Sequence, residues 1–270
     1  MSWKYAFIAL LCSFSLTCAA ASANEQSIDG TLRVLGMPLA EAVAPGGATP
    51  DHFRAELNFG RWHVRNDHQS INFNLYGLSL AWTHAIAERW ALNLHGDAGY
   101  LFGHNAVIDV RGYGLEAGFD FVYALGSHPS AAGPLNGSSL FFGLYGWTSK
   151  LTGPFQGPPR DEAVITAVTE SLRAGWQGRA WVRSNLFCEP AFYLYANDGH
   201  RREQIVNLGG DDDANPTSYG AAANLQIGMD SVFEPGDRLA GGLAGAWGFD
   251  QNNSYQVQVV YTFGASPAAN

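Results

Sequence analysis

The sequence predicts an all-β protein: a closed, antiparallel, up-and-down transmembrane β-barrel of about ten strands, with eight or twelve as the neighbouring even counts. Three observations lead there. Apolar residues recur at period two, most plainly at the end of the chain. There Tyr255, Val257, Val259, Tyr261 and Phe263 share one face, while Gln256, Gln258, Val260 and Thr262 share the other. No stretch beyond residue 23 approaches the ~18 uninterrupted apolar residues of a helical membrane span. Finally, a mean hydropathy of −0.07 with 32 glycines, 8 Trp, 11 Tyr and 16 Phe fits walls whose lipid-facing and interior positions alternate.

The N-terminus reads as an export signal. Lys4 is the only charge before Glu25, and the apolar run Tyr5–Leu16 is too short to cross a bilayer. Ala21-Ser22-Ala23 supplies small residues for cleavage before Asn24. Cys18 raises a lipoprotein alternative, but Ser15-Leu16-Thr17 makes a poor lipobox. The expected organisation is a signal peptide over 1–23, an N-terminal arm or plug over 24–52, a barrel over 53–263 and a tail over 264–270. Beyond the signal, Cys188 is the single cysteine, so no internal disulfide forms; it is either a lipid-facing small hydrophobe or a free thiol. The net charge of −9 disfavours nucleic acid as a partner. No Cys/His array has zinc spacing, and neither a metal nor a cofactor is expected.

Taken in order, Phe53, Ala55, Leu57 and Phe59 face lipid while Arg54, Glu56 and Asn58 face inward, and Arg61-Trp62-His63 marks an interface. In Ile71–Thr83 the apolar set changes parity near Tyr76-Gly77, from Ile71, Phe73 and Leu75 to Tyr76, Leu78, Leu80 and Trp82. A glycine-associated β-bulge explains this, or else an apolar patch in the lower lumen. Trp90–Phe102 alternates clearly, with Asn93, His95 and Asp97 inward. So does the strand over Ile108–Leu125, with Glu116 and Asp120 inward. Both faces of Ser139–Ser149 are apolar, which leaves its orientation open.

Asp161–Leu172 carries Val164, Ala167, Val168, Ser171 and Leu172 at helical spacing and reads as a short loop helix, because a strand puts Glu170 on the lipid face. Further on, Arg173, Arg179 and Arg183 oppose an apolar set, with a turn near Gln177-Gly178 or near Asn185–Pro190. Asn197–Thr217 reads as the longest polar loop. Ser218–Val232, Leu239–Phe249 and the closing strand complete about ten. With both termini periplasmic, the long polar loops fall at the outer end and short turns such as Glu234–Asp237 at the inner end.

From Phe53 to Phe263 the chain resembles the broad class of small Gram-negative outer-membrane β-barrel proteins, with no subfamily motif. Its last strand looks like their C-terminal assembly signal, although Gly264–Asn270 follows Phe263. The resemblance implies an outer-membrane location reached through the barrel-assembly machinery. It also implies contact with outer-membrane lipid and lipopolysaccharide, whose phosphates Arg201, Arg202 and Lys150 are placed to meet.

The inward set predicts a lumen network of Arg54, Glu56, His95, Asp97, Glu116, Asp120, Arg173, Arg179 and Arg183, since buried charges need partners. Late strands contribute small inward groups: Gly220, Ala222, Gly228, Ala240, Gly242, Ala244, Ala246 and Gly248. Two readings follow. Small residues opposite large ones fill a narrow barrel, or they leave a groove that serves as a narrow, porin-like pore or a ligand pocket.

His95 and Asp97 lie two apart on one face, their Cα atoms ~7 Å apart. With Glu116 or Asp120 on the next strand they are the candidates for acid/base chemistry; a salt-bridge network is the plainer reading. Asp67, His68, His104 and Asp109 are scattered rim groups, and Asp211–Asp213 with His200 form an acidic loop. The expectation is therefore a structural, surface-interaction or narrow-pore protein, with a lipid- or peptide-modifying enzyme as the alternative.

Overall fold

A computed structural model describes residues 52–65, 70–87, 89–104, 109–125, 138–154, 162–183, 185–205, 210–215, 217–230, 232–233, 237–248 and 253–263. The expected signal, the arm before residue 52 and the tail after 263 lie outside the described residues. Ten long strands form the wall: β1 (His52–Arg65), β2 (Ser70–Ala87), β3 (Trp90–His104), β4 (Asp109–Ala124), β5 (Ser139–Pro154), β6 (Glu162–Gln177), β8 (Leu186–Ile205), β10 (Thr217–Asp230), β11 (Arg238–Gly248) and β12 (Asn253–Phe263). The two short strands β7 (Ala180–Trp181) and β9 (Gly210–Ala214) both pair with β8.

Every pairing is antiparallel, and the β12–β1 and β8–β10 ladders close the sheet on itself. Closure leaves no wall strand with an unpaired edge, which is what a sheet immersed in hydrocarbon requires. Both chain ends of the barrel, at His52 and Phe263, lie at one rim. That rim is the terminal end below, and the opposite rim is the loop end.

The outer face is apolar to a degree that water does not tolerate. Leu80, Leu94, Phe121, Leu144, Leu225 and Ile227 are each at least 40% exposed, and Leu243 and Val257 about 60%. A continuous apolar band of this kind marks contact with hydrocarbon or with another protein. Aromatic groups border it. Phe59, Tyr76 and Phe102 meet edge to face toward the loop end, and Trp90 packs on Tyr123 and Tyr261 on Phe263 toward the terminal end. This is the girdle arrangement of a barrel held across a bilayer. Cys188 is half-buried on the wall's outer parity and is not disulfide-bonded.

Several expectations change. β2 runs through Tyr76 and Gly77 without a register shift. Ile71, Phe73 and Leu75 therefore point into the barrel, at its loop end rather than its lower part, and the irregularity in β2 falls instead at Ala85/Ala87. Trp62 is fully buried inside the lumen, not at an interface, and packs 5.2 Å from Phe73.

The helix expected over Asp161–Leu172 is strand β6. Val164, Ile165, Thr166, Val168 and Thr169 are β-branched and suit a pleated wall, and β6 pairs with β5 and β8 along its length. Glu170 does face outward. It lies midway along β6, paired with Gly146 and Asp198, where the exposed positions of Thr148, Asp198 and His200 begin a polar stretch that runs on toward the loop end.

The polar segment after Asn197 is not all loop. β8 continues to Ile205, and β9 extends the ladder against it in the same register as β10. Of the two turn sites considered, the reversal falls beside Asn185: β7 continues β6 against β8 in the same register, the Gly178 N–H donates to the Pro190 carbonyl, and the Val182 N–H donates to the Leu186 carbonyl across the turn.

Inside, the small residues of β10 and β11 make room for large ones. A Cβ on Gly220 would come within 2.6 Å of the Tyr195 hydroxyl, and one on Gly228 within 2.6 Å of the Phe187 ring. Ala222, Ala244 and Ala246 are buried in one cluster with Phe141, Tyr193 and Tyr195. Opposite Gly220 and Gly228 the space is taken by the Tyr195 and Phe187 side chains.

Candidate functional site

Strands β3 to β6 carry the charged heart of the lumen. Register sets it, because Asp97 pairs with Glu116 across β3 and β4, and Gly143 on β5 lies beside both Asp120 and Arg173. Gly143 is a space requirement. A Cβ there would lie 2.1 Å from an Asp120 carboxylate oxygen and 2.6 Å from the Phe119 carbonyl oxygen.

Arg173 Nη2 donates to both oxygens of Glu116, at 3.2 and 3.3 Å, and its guanidinium carbon lies 3.8 Å from the centre of the Tyr145 ring. The Tyr145 hydroxyl donates to Asp120 Oδ1, and Asn93 Nδ2 donates to Asp120 Oδ2 at 3.4 Å. Thr83 in turn donates to Asn93 Oδ1 at 3.0 Å. Alternating donors and acceptors of this kind hold buried charges in place.

His95 stands between the two carboxylates. Its Nε2 is 3.9 Å from Glu116 Oε1, its Nδ1 is 3.9 Å from Asp120 Oδ2, and its ring is 4.9 Å from that of Tyr145. Both ring nitrogens and both Asp97 oxygens are buried without a hydrogen-bond partner. A cavity of about 30 Å³ adjoins Asp97, Glu116, Ser79 and Asn58. That volume holds one or two waters and no organic substrate.

Buried groups flank the cluster on both sides. Toward the loop end Trp62, Phe73, Leu75, Leu101, Trp147 and Leu151 form one buried hydrophobic plug. Toward the terminal end the buried Phe187 ring has the Arg179 and Arg238 guanidinium carbons each 5.6 Å from its centre, and Arg179 pairs with Glu189.

Of the network read from the sequence, the structure places His95, Asp97, Glu116, Asp120 and Arg173 together. Glu56 is buried nearby and accepts a hydrogen bond from Thr262 at 3.2 Å. Arg179 lies apart from them at the terminal rim, and Arg183 is exposed in the turn before β8, outside the lumen. The side chain of Arg54 lies outside the described residues. Tyr145 and Trp147 were missed because β5 is apolar on both faces. At the rim His104 hydrogen-bonds Asp109 on the exposed face, whereas Asp67 and His68 lie outside the described residues. His200 and Arg202 approach Asp213 at 3.9 and 4.0 Å, an exposed ion pair.

A second feature lies on the outer wall. Arg61, Asn74, Phe102, Arg111 and Thr152 form one row across β1 to β5 by direct pairing, beside a cleft of about 610 Å³. The next row toward the terminal end is Phe59, Tyr76, Tyr100, Tyr113 and Lys150. Two arginines thus stand directly over an aromatic belt.

No protein-family model matches the sequence, and no curated protein matches it. Among solved structures, the translocator domain of the autotransporter NalP from Neisseria meningitidis is similar with a TM-score of 0.54 and 10% identity, over 80% of this chain and 89% of that one. The outer membrane protease OmpT from Escherichia coli gives a TM-score of 0.47 and 8% identity, over 80% of this chain and 96% of that one. At such identities the likeness is one of fold. The chain has the closed antiparallel barrel fold of Gram-negative outer-membrane proteins.

Proposed function

We propose that the protein is an integral outer-membrane barrel, exported by a cleaved signal, whose lumen is a sealed structural core and whose working surface is the loop end of its outer wall. The observation that carries this reading is the plug: Trp62, Phe73, Leu101 and Trp147, each at most 4% exposed, lie across the lumen on the loop side of the charge network. A filled lumen supports neither solute passage nor turnover at His95. The partner this reading assigns to the surface is outer-membrane lipid, with lipopolysaccharide phosphates against Arg61 and Arg111 and acyl chains along Phe59, Tyr76, Tyr100 and Tyr113.

Planar-bilayer recording on the refolded full-length chain tests it. The expected trace is electrically silent apart from leak, in membranes where fractionation finds the protein; discrete, reproducible conductance steps would overturn the sealed core. Arg61→Ala with Arg111→Ala is expected to lower co-purified lipopolysaccharide, read as phosphate per barrel, and an unchanged ratio would remove the lipid assignment.

A further inference from the structure

We infer that the mid-lumen cluster is a binding site for one divalent first-row metal ion of the zinc class, held by His95 Nε2, Asp97 and Glu116. The inference goes beyond the surface role above and stands or falls separately from it.

Geometry comes first. One ligand atom from each of the three side chains lies within 4.8 Å of the other two, and the His95 Nε2 to Glu116 distance is 3.9 Å. Donors bonded to a common ion at about 2.0–2.2 Å lie roughly 3 to 4.5 Å apart, so a small inward movement brings the three onto one ion.

The second observation is the condition of His95. The residue is 7% exposed, its side chain only 1%, and neither ring nitrogen has a hydrogen-bond partner. Both Asp97 oxygens are in the same condition. Buried polar atoms left in this state are costly unless something else satisfies them.

Charge points the same way. The carboxyl groups of Asp97, Glu116 and Asp120 gather around His95 with the one guanidinium of Arg173 bound to Glu116. Three carboxyl groups around one imidazole and one guanidinium make an acidic site, and a divalent cation bound to neutral His95 is matched by their charge.

The surroundings complete the site. Asp120 faces the far nitrogen of His95, the position from which an outer carboxylate orients a metal-bound imidazole, and Tyr145 and Asn93 hold Asp120 in turn. The cavity beside Asp97 and Glu116 has room for the water that fills a fourth position. One imidazole with two carboxylates suits zinc or manganese; an all-oxygen ion such as calcium gains little from His95. Because the cluster is enclosed, the ion enters as the barrel folds.

The test is to refold the full-length chain in detergent with equimolar ZnCl2, dialyse it against EDTA, and count metal by mass spectrometry on material that still shows heat-modifiable migration. One zinc per barrel is expected, with retention in His95→Gln and in Asp97→Asn, each folded by the same criterion, down at least tenfold. If a variant does not fold, the equilibrium zinc affinity of the other and of Glu116→Gln decides the matter. Zinc that is absent from the wild type, or retained equally by the folded variants, would overturn the site. In the second case the ion belongs to exposed histidines such as His104 or His200.

Discussion

Arg173 and Glu116 are joined inside the barrel although they stand on strands that do not touch, since β5 runs between β4 and β6. The pair is almost wholly buried, at 1% and 4% side-chain exposure. Arg173→Met would strand the Glu116 carboxylate and is expected to cost about 3–5 kcal/mol. Adding Glu116→Gln should recover much of that loss. Urea unfolding of the refolded barrel measures both, and equal losses in the single and double variants would mean that the pair is not coupled.

Gly143 keeps the space in which Asp120 and Tyr145 meet. Gly143→Ala is expected to destabilise by about 1–3 kcal/mol, as overpacking does. The same change at Gly146, where a Cβ meets nothing within 4 Å, should be near neutral. Heat-modifiability midpoints for the two variants separate a steric effect from a general dislike of alanine in β5.

The plug should be what blocks ion flow. Trp62→Ala and Trp147→Ala each remove a ring from a buried cluster, at an expected cost of about 3–5 kcal/mol. The double variant, if folded, is expected to conduct in planar bilayers where the parent does not. Silence from a folded double variant would assign the barrier to the polar layer beneath it.

Leu243 is central on the outer face of β11, four residues from Leu239 at one end and from Trp247 at the other. Leu243→Arg is expected to cost about 2–4 kcal/mol in a bilayer, and Glu170→Lys, a charge for a charge opposite exposed Asp198, about 0–1. Unfolding in phospholipid vesicles reads both. A near-zero effect at Leu243 would indicate that this face meets water or protein instead of acyl chains.

Much of this was legible in the chain itself. The inward sets of β3 and β4, with His95, Asp97, Glu116 and Asp120, follow from parity alone, because a side chain two residues away in a strand must return to the same face. Parity failed where apolar groups point inward. Ile71, Phe73, Leu75 and Trp62 look like lipid-facing residues, since hydropathy does not distinguish an aromatic plug from an aromatic girdle. Helical spacing in Val164–Leu172 misled for a related reason: period 3.6 and period 2 coincide often enough over nine residues, and the β-branched content was the better guide.

The sequence by itself determined the class of wall: alternation at period two sets which faces exist and which side chains share them. What only the tertiary structure decided is what the inside holds. Whether Gly220 and Gly228 line a groove or receive Tyr195 and Phe187 depends on which strands become neighbours at closure, and that register is a property of the whole ring. The same closure brings β6 within reach of β4, so that Arg173 finds Glu116 and His95 is left between two carboxylates.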